Sequence, residues 1–212
     1  MDFYKFQQLI PQILQQTLLG ETAHAMMSPP ERKALIKTLD FNAMDFRKAA
    51  VMMLVFPKNG KAHLVLIQRN SYKGVHSSQI AFPGGKVEAD DLSYEFTALR
   101  ETHEEIGIPA EIIEVIRPFS QVYIPPSNFM VYPFLGLSKA TLEFNPNERE
   151  VFKIIELPLD ILLADDTVVN QTMATSYSES IDVPSFKIED HYVWGATAMM
   201  LSELKETLKM VL

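Results

Sequence analysis

Apolar residues recur along this chain at the two spacings that mark helices and strands. Residues 3–19 carry apolar side chains at helical spacing with Pro11 inside the pattern, and Pro29-Pro30 precedes a second helical pattern at 31–39. Pro11 is expected to kink the first helix, because proline lacks the N–H that the helix needs there. These spacings predict a helical N-terminal extension, residues 1–45, that packs on the rest of the chain.

From residue 46 onward the pattern changes to short apolar runs typical of strands. Residues 49–56 and 62–68 form two such runs, joined by Pro57-Lys58-Asn59-Gly60, which has the residue types of a hairpin turn. The further predicted strands are 112–123, 130–137, 151–157, 168–177 and 185–193, and the predicted helices are 92–106, 158–163 and 194–210. Because these elements alternate irregularly, we expect one α+β domain over residues 46–212, with a mixed sheet between helical layers.

The composition is that of an ordinary globular domain, with 47% hydrophobic and 22% charged residues among 212. The net charge of −8 argues against a nucleic-acid or anionic-membrane surface, because both need a basic footprint. The chain contains no cysteine, which excludes disulfides, thiol catalysis and thiolate metal sites. The chain also shows no apolar run of membrane-spanning length and no leader pattern. Together with the lack of cysteine, these features favour a cytoplasmic protein.

Three glutamates in the predicted helix 92–106 carry the strongest chemical signal. Glu101, Glu104 and Glu105 stand at i, i+3 and i+4, so their side chains share one helix face, where like charges cost roughly 0.2–0.5 kcal/mol per pair. Hard divalent cations take such carboxylates as ligands, often together with substrate phosphates. A helical wheel predicts that this acidic face is exposed and that the core receives the apolar residues Leu92, Phe96, Leu99 and Ile106.

The residues before this helix form a glycine turn, Pro83-Gly84-Gly85. Glycine lets the backbone approach a ligand without an intervening Cβ. Asp90 or Asp91 is expected to cap the free amide groups at the start of the helix. A strand, a glycine turn and a capped helix with a carboxylate face predict a site for a metal-bound polyphosphate.

These residues resemble the signature of the Nudix hydrolases, G-x5-E-x7-R-E-U-x-E-E-x-G-U, where U is aliphatic. Its second half is matched by Arg100, Glu101, Glu104, Glu105, Gly107 and Ile108. The first half departs from the pattern, because Asp91 stands where Glu is usual and eight residues rather than seven separate it from Arg100. Thr102 also occupies an aliphatic position.

Three further segments are similar to the coenzyme A pyrophosphatase branch of that family. They are residues 66–70 with 76–85, residues 147–151 leading to 157–159, and residues 193–198. Ser78 replaces a glycine usual in the first segment. The resemblance implies a three-layer α/β/α sandwich with a mixed sheet, and cleavage of coenzyme A or its derivatives to 3′,5′-ADP and 4′-phosphopantetheine.

The resemblance also implies roles for individual residues. Mg²⁺ or Mn²⁺ is expected on Glu101, Glu104, Glu105 and the Gly85 carbonyl, with Glu101 and Glu104 also counted as catalytic. Arg100 is expected to orient a catalytic carboxylate, although a simple surface pair with Glu104 also fits. Glu150, with Glu148 as its fallback, is a candidate for a further metal ligand or for the base that activates water. The candidate substrate-binding residues are Arg69, His76, Gly84 and Lys86.

Several alternatives stay open at this point. The substrate is coenzyme A or another nucleoside diphosphate derivative, such as ADP-ribose or a dinucleotide. A third interpretation is a non-catalytic Nudix module that senses a nucleotide. The complete set of acidic residues in the motif argues against this interpretation. The apolar N-terminal helix fits a homodimer contact and packing within one chain equally well.

Overall fold

The structure is a computed structural model that describes residues 1–70, 79–173 and 180–212. Its helices are α1 (Phe3–Gln15), α2 (Glu21–Met26), α3 (Pro30–Thr38), α4 (Tyr94–Ile106), α5 (Leu159–Leu163) and α6 (Gly195–Lys209). Its strands are β1 (Arg47–Lys58), β2 (Lys61–Arg69), β3 (Ile80–Ala81), β4 (Gly84–Lys86), β5 (Glu114–Pro118), β6 (Val122–Ile124), β7 (Phe129–Leu137), β8 (Val151–Pro158), β9 (Val168–Met173), β10 (Ile181–Ile188) and β11 (His191–Val193).

A mixed sheet forms the centre of the described structure. Its strands follow the order β3-β2-β1-β7-β5, with β4 beside β1, β6 beside β7 and β8 beside β2. Strand β1 runs parallel to β7 and antiparallel to β2 and β4. A smaller antiparallel sheet contains β9, β10 and β11. The predicted α+β class with a mixed sheet is therefore confirmed.

Strand β1 shows how the sheet separates two cores. Met53 and Val55 lie in the core that receives α1 and α6, whereas Met52 and Leu54 lie in the core that receives α4. Successive side chains of a strand point to opposite faces, so a continuous apolar run is buried on both sides. Helices cover both faces, which gives the predicted three layers.

Helix α1 packs its apolar stripe on its own chain. It buries Phe3, Phe6, Leu9 and Ile13. Pro11 stays inside the helix, which ends at Gln15 rather than at residue 19. Arg117 Nη1 donates to the carbonyls of Ile13 (2.7 Å) and Gln16 (2.9 Å), which satisfies free groups at the helix end. The homodimer and the boundary at residue 45 remain predictions.

The predicted hairpin between β1 and β2 is confirmed, and two other strand predictions were wrong in their extent. Asn59 and Gly60 have φ of 51° and 74°, the left-handed pair that a tight hairpin turn requires. The run 112–123 is divided into β5 and β6, because Ser120 between them bonds to a distant glutamate of α6. The run 185–193 is divided by a second turn, in which Glu189 has φ of 51°. Helix α2 was not predicted.

Within the described residues, none of the helices is both long enough and apolar enough to span a membrane.

Candidate active site

The glycine turn that leads into β4 lies directly against α4. A Cβ on Gly85 would lie 2.5 Å from both carboxylate oxygens of Glu101, and one on Gly84 (φ +152°) would lie 2.6 Å from the Cα of Val51. No side chain fits at either position. Glycine at position 85 therefore allows Glu101 to approach the turn, and glycine at position 84 allows the turn to lie against β1.

The start of α4 differs from the prediction. Ser93, rather than Asp90 or Asp91, is the N-cap, and its Oγ accepts a hydrogen bond from the Phe96 amide at 3.0 Å. Asp91 instead accepts two hydrogen bonds from Arg100, at 2.9 Å from Nε and 3.0 Å from Nη2. This paired contact lowers the pKa of Asp91 well below its usual range. Asp91, which stands where the Nudix motif usually has Glu, thus fixes the position of Arg100 by hydrogen bonds.

The predicted inward face of α4 was right for Ile106 and Leu99 and wrong for Leu92, Phe96 and Glu105. Leu92 is 89% exposed and Phe96 is 43% exposed, whereas Glu105 is only 1% exposed. Leu92 lies before the first turn of the helix, so helical periodicity does not set its direction. The helix buries a side made of short residues and one acid, which are Thr97, Ala98, Thr102, Glu105 and Ile106. Short side chains let the helix approach the sheet closely, and this brings Glu105 to the glycine turn.

Glu105 is held between a side chain of β2 and the backbone of the turn. Its Oε1 accepts from Arg69 Nη1 at 3.0 Å, and its Oε2 accepts from the Gly84 amide at 2.8 Å. Burial raises the pKa of Glu105 to about 7, against the opposing effects of Arg69 and Gly84. The negative charges of Glu101 and Glu150 contribute to this raised pKa. The surroundings of Glu105 therefore compensate the negative charge of its carboxylate only in part.

Arg100 contacts both of the other glutamates of the motif. Its Nη1 lies 3.0 Å from Glu101 Oε1 and 3.0 Å from Glu104 Oε2, so the surface pair and the contact with a site carboxylate coexist. Its Nη2 also donates to the Lys86 carbonyl at 3.2 Å. Burial nevertheless raises the pKa of Glu101, to which Glu104 and Glu150 add. One arginine thus neutralises part of a cluster that remains acidic.

Glu150 lies at the margin of this cluster, one residue before β8 begins. Its Oε1 accepts from Asn147 Nδ2 at 3.3 Å, and its backbone carbonyl accepts from the Asn70 amide at 2.8 Å. Its charge raises the pKa of both Glu101 and Glu105. Glu148 instead offers its backbone carbonyl to the Asn70 side chain. The catalytic role of Glu150 stays a prediction.

A cavity of about 580 Å³ opens beside the glycine turn. Arg69, Gly84, Gly85 and Lys86 line it, so the predicted substrate-binding residues Arg69, Gly84 and Lys86 share one wall. The Gly84 amide already donates to Glu105, and His76 lies outside the described residues. Their substrate contacts stay predictions.

Other lining residues were not predicted as part of a site. They include Arg32, Tyr123, Phe129 and Trp194. Trp194 lies in a segment that resembles the coenzyme A pyrophosphatase branch, and this resemblance could have identified it as a site residue. Arg32 carries no motif, and only the packing of α3 against β6 brings it to the cavity.

The donor chemistry of the acidic cluster fits a hard divalent cation. Desolvated carboxylates of Glu101 and Glu105 lie beside a backbone turn that glycine keeps open, and such cations prefer oxygen ligands of this kind. As they stand, no three Asp, Glu or His side chains of residues 1–70, 79–173 and 180–212 are placed to hold a metal ion. A cation that binds here therefore has to draw carboxylate oxygens away from Arg100 and Arg69.

Comparisons with known proteins agree with this picture. The family model of the NUDIX domain matches residues 46–175. The uncharacterized Nudix hydrolase NudL of Yersinia pestis (strain Pestoides F) is 31% identical over 169 residues, which cover 76% of this chain and 79% of that protein. NudL of Yersinia pseudotuberculosis serotype O:1b (strain IP 31758) has the same identity and coverage.

Solved structures share the fold at lower identity. A Nudix hydrolase from M. smegmatis, RenU, has a TM-score of 0.54 and 19% identity, covering 82% of this chain and 94% of that chain. A MutT protein from Methanosarcina mazei Go1 has a TM-score of 0.50 and 15% identity, covering 79% and 97%. At such identities the likeness speaks for the fold alone.

Proposed function

This chain belongs to the Nudix hydrolase family, and on that premise we propose that it is a pyrophosphatase dependent on Mg²⁺ or Mn²⁺ that cleaves the phosphoanhydride of coenzyme A or its derivatives. The products are 3′,5′-ADP and 4′-phosphopantetheine. The observation that carries the proposal is the buried carboxylate of Glu105, whose pKa is raised to about 7 beside a glycine turn at the wall of a cavity. Perturbed carboxylates in such a position are typical of functional sites.

Glu101, Glu104, Glu105 and the Gly85 carbonyl are the groups that would hold the cation. When bound, the cation neutralises charge on the diphosphate and makes a water molecule easier to deprotonate. Gly85 keeps the backbone close to Glu101, because a side chain there would overlap the carboxylate. Glu105 enters the site from the buried side of α4.

Arg100 and Glu150 have different parts in this proposal. Arg100 is fixed by Asp91 on one side and contacts Glu101 and Glu104 on the other, so it sets the direction of two carboxylates. Glu150 is exposed, and its charge is felt by both Glu101 and Glu105. We assign it as the base that accepts a proton from the attacking water, or as a further metal ligand.

The cavity wall supplies the substrate contacts. Arg69 is 24% exposed at its side chain and lines the cavity together with Lys86, so both cations adjoin the place where a diphosphate would lie. If Arg69 exchanges Glu105 for a substrate phosphate, it still has a negatively charged partner. Gly84 and His76 complete the proposed substrate set. The choice of coenzyme A rests on the three sequence segments outside the acidic motif.

The test is a substrate panel with separation of the products. Coenzyme A, acetyl-coenzyme A, ADP-ribose, a diadenosine polyphosphate and a nucleoside triphosphate are each incubated with the protein and Mg²⁺, Mn²⁺ or a chelator. We expect the highest kcat/KM for coenzyme A or its thioester, release of 3′,5′-ADP, and no turnover with the chelator.

Other outcomes separate the rival functions. Preferred turnover of ADP-ribose or a dinucleotide would retain the chemistry and reject coenzyme A as the substrate. Tight binding of a nucleotide without metal and without turnover would reject the enzyme in favour of a sensing module.

A further inference from the structure

We propose that Arg32, from the N-terminal extension, is a specificity-determining residue that binds a second phosphate, a phosphomonoester on the nucleotide half of the substrate. The inference rests on the proposed function, in which the diphosphate lies at the glycine turn. It also assigns a purpose to residues 1–45, which we propose form part of the same unit as the catalytic domain.

Arg32 is a buried cation in the wall of the cavity. It lies on α3, is 4% exposed, and lines the cavity together with Pro29. Its Nη2 donates to the Tyr123 carbonyl at 2.9 Å and its Nη1 to Ser28 Oγ at 3.3 Å. These contacts fix the plane of the guanidinium, so its direction is set before any ligand arrives.

The strand register gives the separation between the backbone that holds Arg32 and the backbone next to the glycine turn. Tyr123 on β6 pairs with Met130 on β7, and Met130 pairs with Lys48 on β1. The Lys48 carbonyl in turn accepts from the Val87 amide at 2.9 Å, directly after β4. Three steps of about 4.8 Å place the carbonyl that holds Arg32 about 14 Å from this backbone.

The cavity is lined by residues from both parts of the fold. Lys86, Tyr123 and Arg32 all line it. The other lining residues include the apolar and aromatic side chains of Val51, Phe129, Val131 and Trp194. A nucleoside that carries a 5′-diphosphate and a ribose phosphate has two anionic groups one sugar apart. This separation is shorter than the roughly 14 Å between the two backbones, which leaves room for a hydrogen-bonded contact from each side.

The chemistry of the guanidinium favours phosphate over neutral groups. Arginine remains charged under all relevant conditions, and its planar donors match two phosphate oxygens at once. In a buried wall this attraction is much stronger than in water. A phosphomonoester dianion is therefore the group that gains most from Arg32. The alternative is a purely structural role, in which Arg32 only ties α3 to β6.

The experiment compares two substrates that differ by one phosphate. Coenzyme A and its 3′-dephospho form are assayed with the wild-type protein, Arg32→Met and Arg32→Lys. Arg117→Met is the matched control, because Arg117 also donates to backbone carbonyls but does not line the cavity. For Arg32→Met we expect kcat/KM for coenzyme A to fall by at least about tenfold, mainly through KM, with less than about a threefold change for the dephospho form.

Equal losses on both substrates would assign Arg32 a structural role and overturn the proposal. Unchanged discrimination in a folded Arg32→Met protein would do the same. Arg32→Lys retains the charge and should recover part of the preference for coenzyme A. Arg117→Met should change both substrates alike.

A binding measurement tests the role of Arg32 in phosphate binding independently of turnover. Adenosine 3′,5′-bisphosphate and adenosine 5′-monophosphate are titrated into the metal-free protein by calorimetry. We expect the wild type to bind the bisphosphate at least about tenfold more tightly and Arg32→Met to bind both alike. Equal binding by the wild type overturns the Arg32 assignment, even if Arg32→Met does not fold. Lack of turnover on the substrate panel instead rejects the proposed function alone.

Discussion

Among residues 1–70, 79–173 and 180–212, two glutamates are almost completely buried, and their surroundings shift their pKa values in opposite directions. Glu203 on α6 is 0% exposed and Glu105 on α4 is 1% exposed. Burial alone would raise the pKa of Glu203, but the contacts with His24, Ser120 and Gly20 together lower it below its usual value. Burial, with a smaller contribution from two neighbouring acids, raises the pKa of Glu105 to about 7.

The difference lies in how completely each carboxylate is satisfied. Glu203 accepts from the Gly20 amide at 2.7 Å and from the amide and hydroxyl of Ser120 at 3.0 and 2.6 Å. It joins the N-terminal extension, the β5–β6 connection and α6, and it needs no further partner. Glu105 has one arginine and one amide against the charges of Glu101 and Glu150. Burial is common to both residues, so the incompletely compensated negative charge is what distinguishes Glu105, the proposed functional acid, from Glu203.

The largest effect should come from removing the charge of Glu105. Glu105→Gln keeps an acceptor for the Gly84 amide but loses a metal-binding carboxylate, so we expect turnover with Mg²⁺ to fall by at least about 10³-fold. The melting temperature of the metal-free variant should change little, because the removal of a desolvated charge offsets the amide N–H that then faces Arg69 or the Gly84 amide. Steady-state kinetics and thermal unfolding measure the two quantities on one preparation.

Glu95→Gln is the matched control for this variant. Glu95 lies on the exposed side of the first turn of α4, so its turnover and melting temperature should stay near those of the wild type. A folded Glu105→Gln protein with full activity would remove Glu105 from the mechanism.

Part of the acidic site could be predicted from the sequence, and part could not. The spacing of Glu101, Glu104 and Glu105 and the glycine turn are local features, and they predicted that these acids lie together beside the turn, where the structure has Glu101 and Glu105. The burial of Glu105 was not predicted, because a helical wheel ranks side chains by polarity and takes no account of how closely short residues let a helix approach a sheet. Thr97 and Thr102 are such residues, and no apolar pattern identifies them.

Contacts between distant segments were also beyond sequence reasoning. The pair Asp91–Arg100 was not predicted, because Asp91 was expected to cap the helix, whereas Ser93 caps it. Arg32 reaches the cavity only because α3 packs near Tyr123. The overall α+β class was predicted because apolar periodicity survives in each element, whereas partners far apart in sequence depend on the assembled sheet.

A second prediction concerns pH and uses the opposite shifts of the two acids. Folding raises the pKa of Glu105 from about 4.5 to about 7, so the folded protein binds this proton more tightly than the unfolded chain does. The metal-free protein should therefore lose stability as pH rises from about 4.5 to about 7, by at most about 3 kcal/mol. Glu203, with its lowered pKa, loses its contribution only as pH falls below about 4.5.

Urea unfolding between pH 5 and pH 8 in the presence of a chelator isolates the Glu105 effect. The difference in unfolding free energy between the wild type and Glu105→Gln should change across this range and then level off above about pH 7. Saturating Mg²⁺ should abolish the change, because the bound cation stabilises the ionised carboxylate. A difference that does not depend on pH would mean that Glu105 is as fully satisfied as Glu203.

The smallest of the three effects should come from Glu203→Gln, and it should affect stability rather than chemistry. The amide keeps the shape of the side chain but turns an N–H toward the donors of Gly20 and Ser120, so we expect the unfolding free energy to fall by about 2 kcal/mol. For a chain of this size that lowers the melting temperature by several degrees. The kcat of the folded protein at 25 °C should stay within about twofold of the wild type, since none of these groups lines the cavity. Loss of turnover without loss of stability would show that Glu203 acts in catalysis, and the distinction between the two buried acids would then fail.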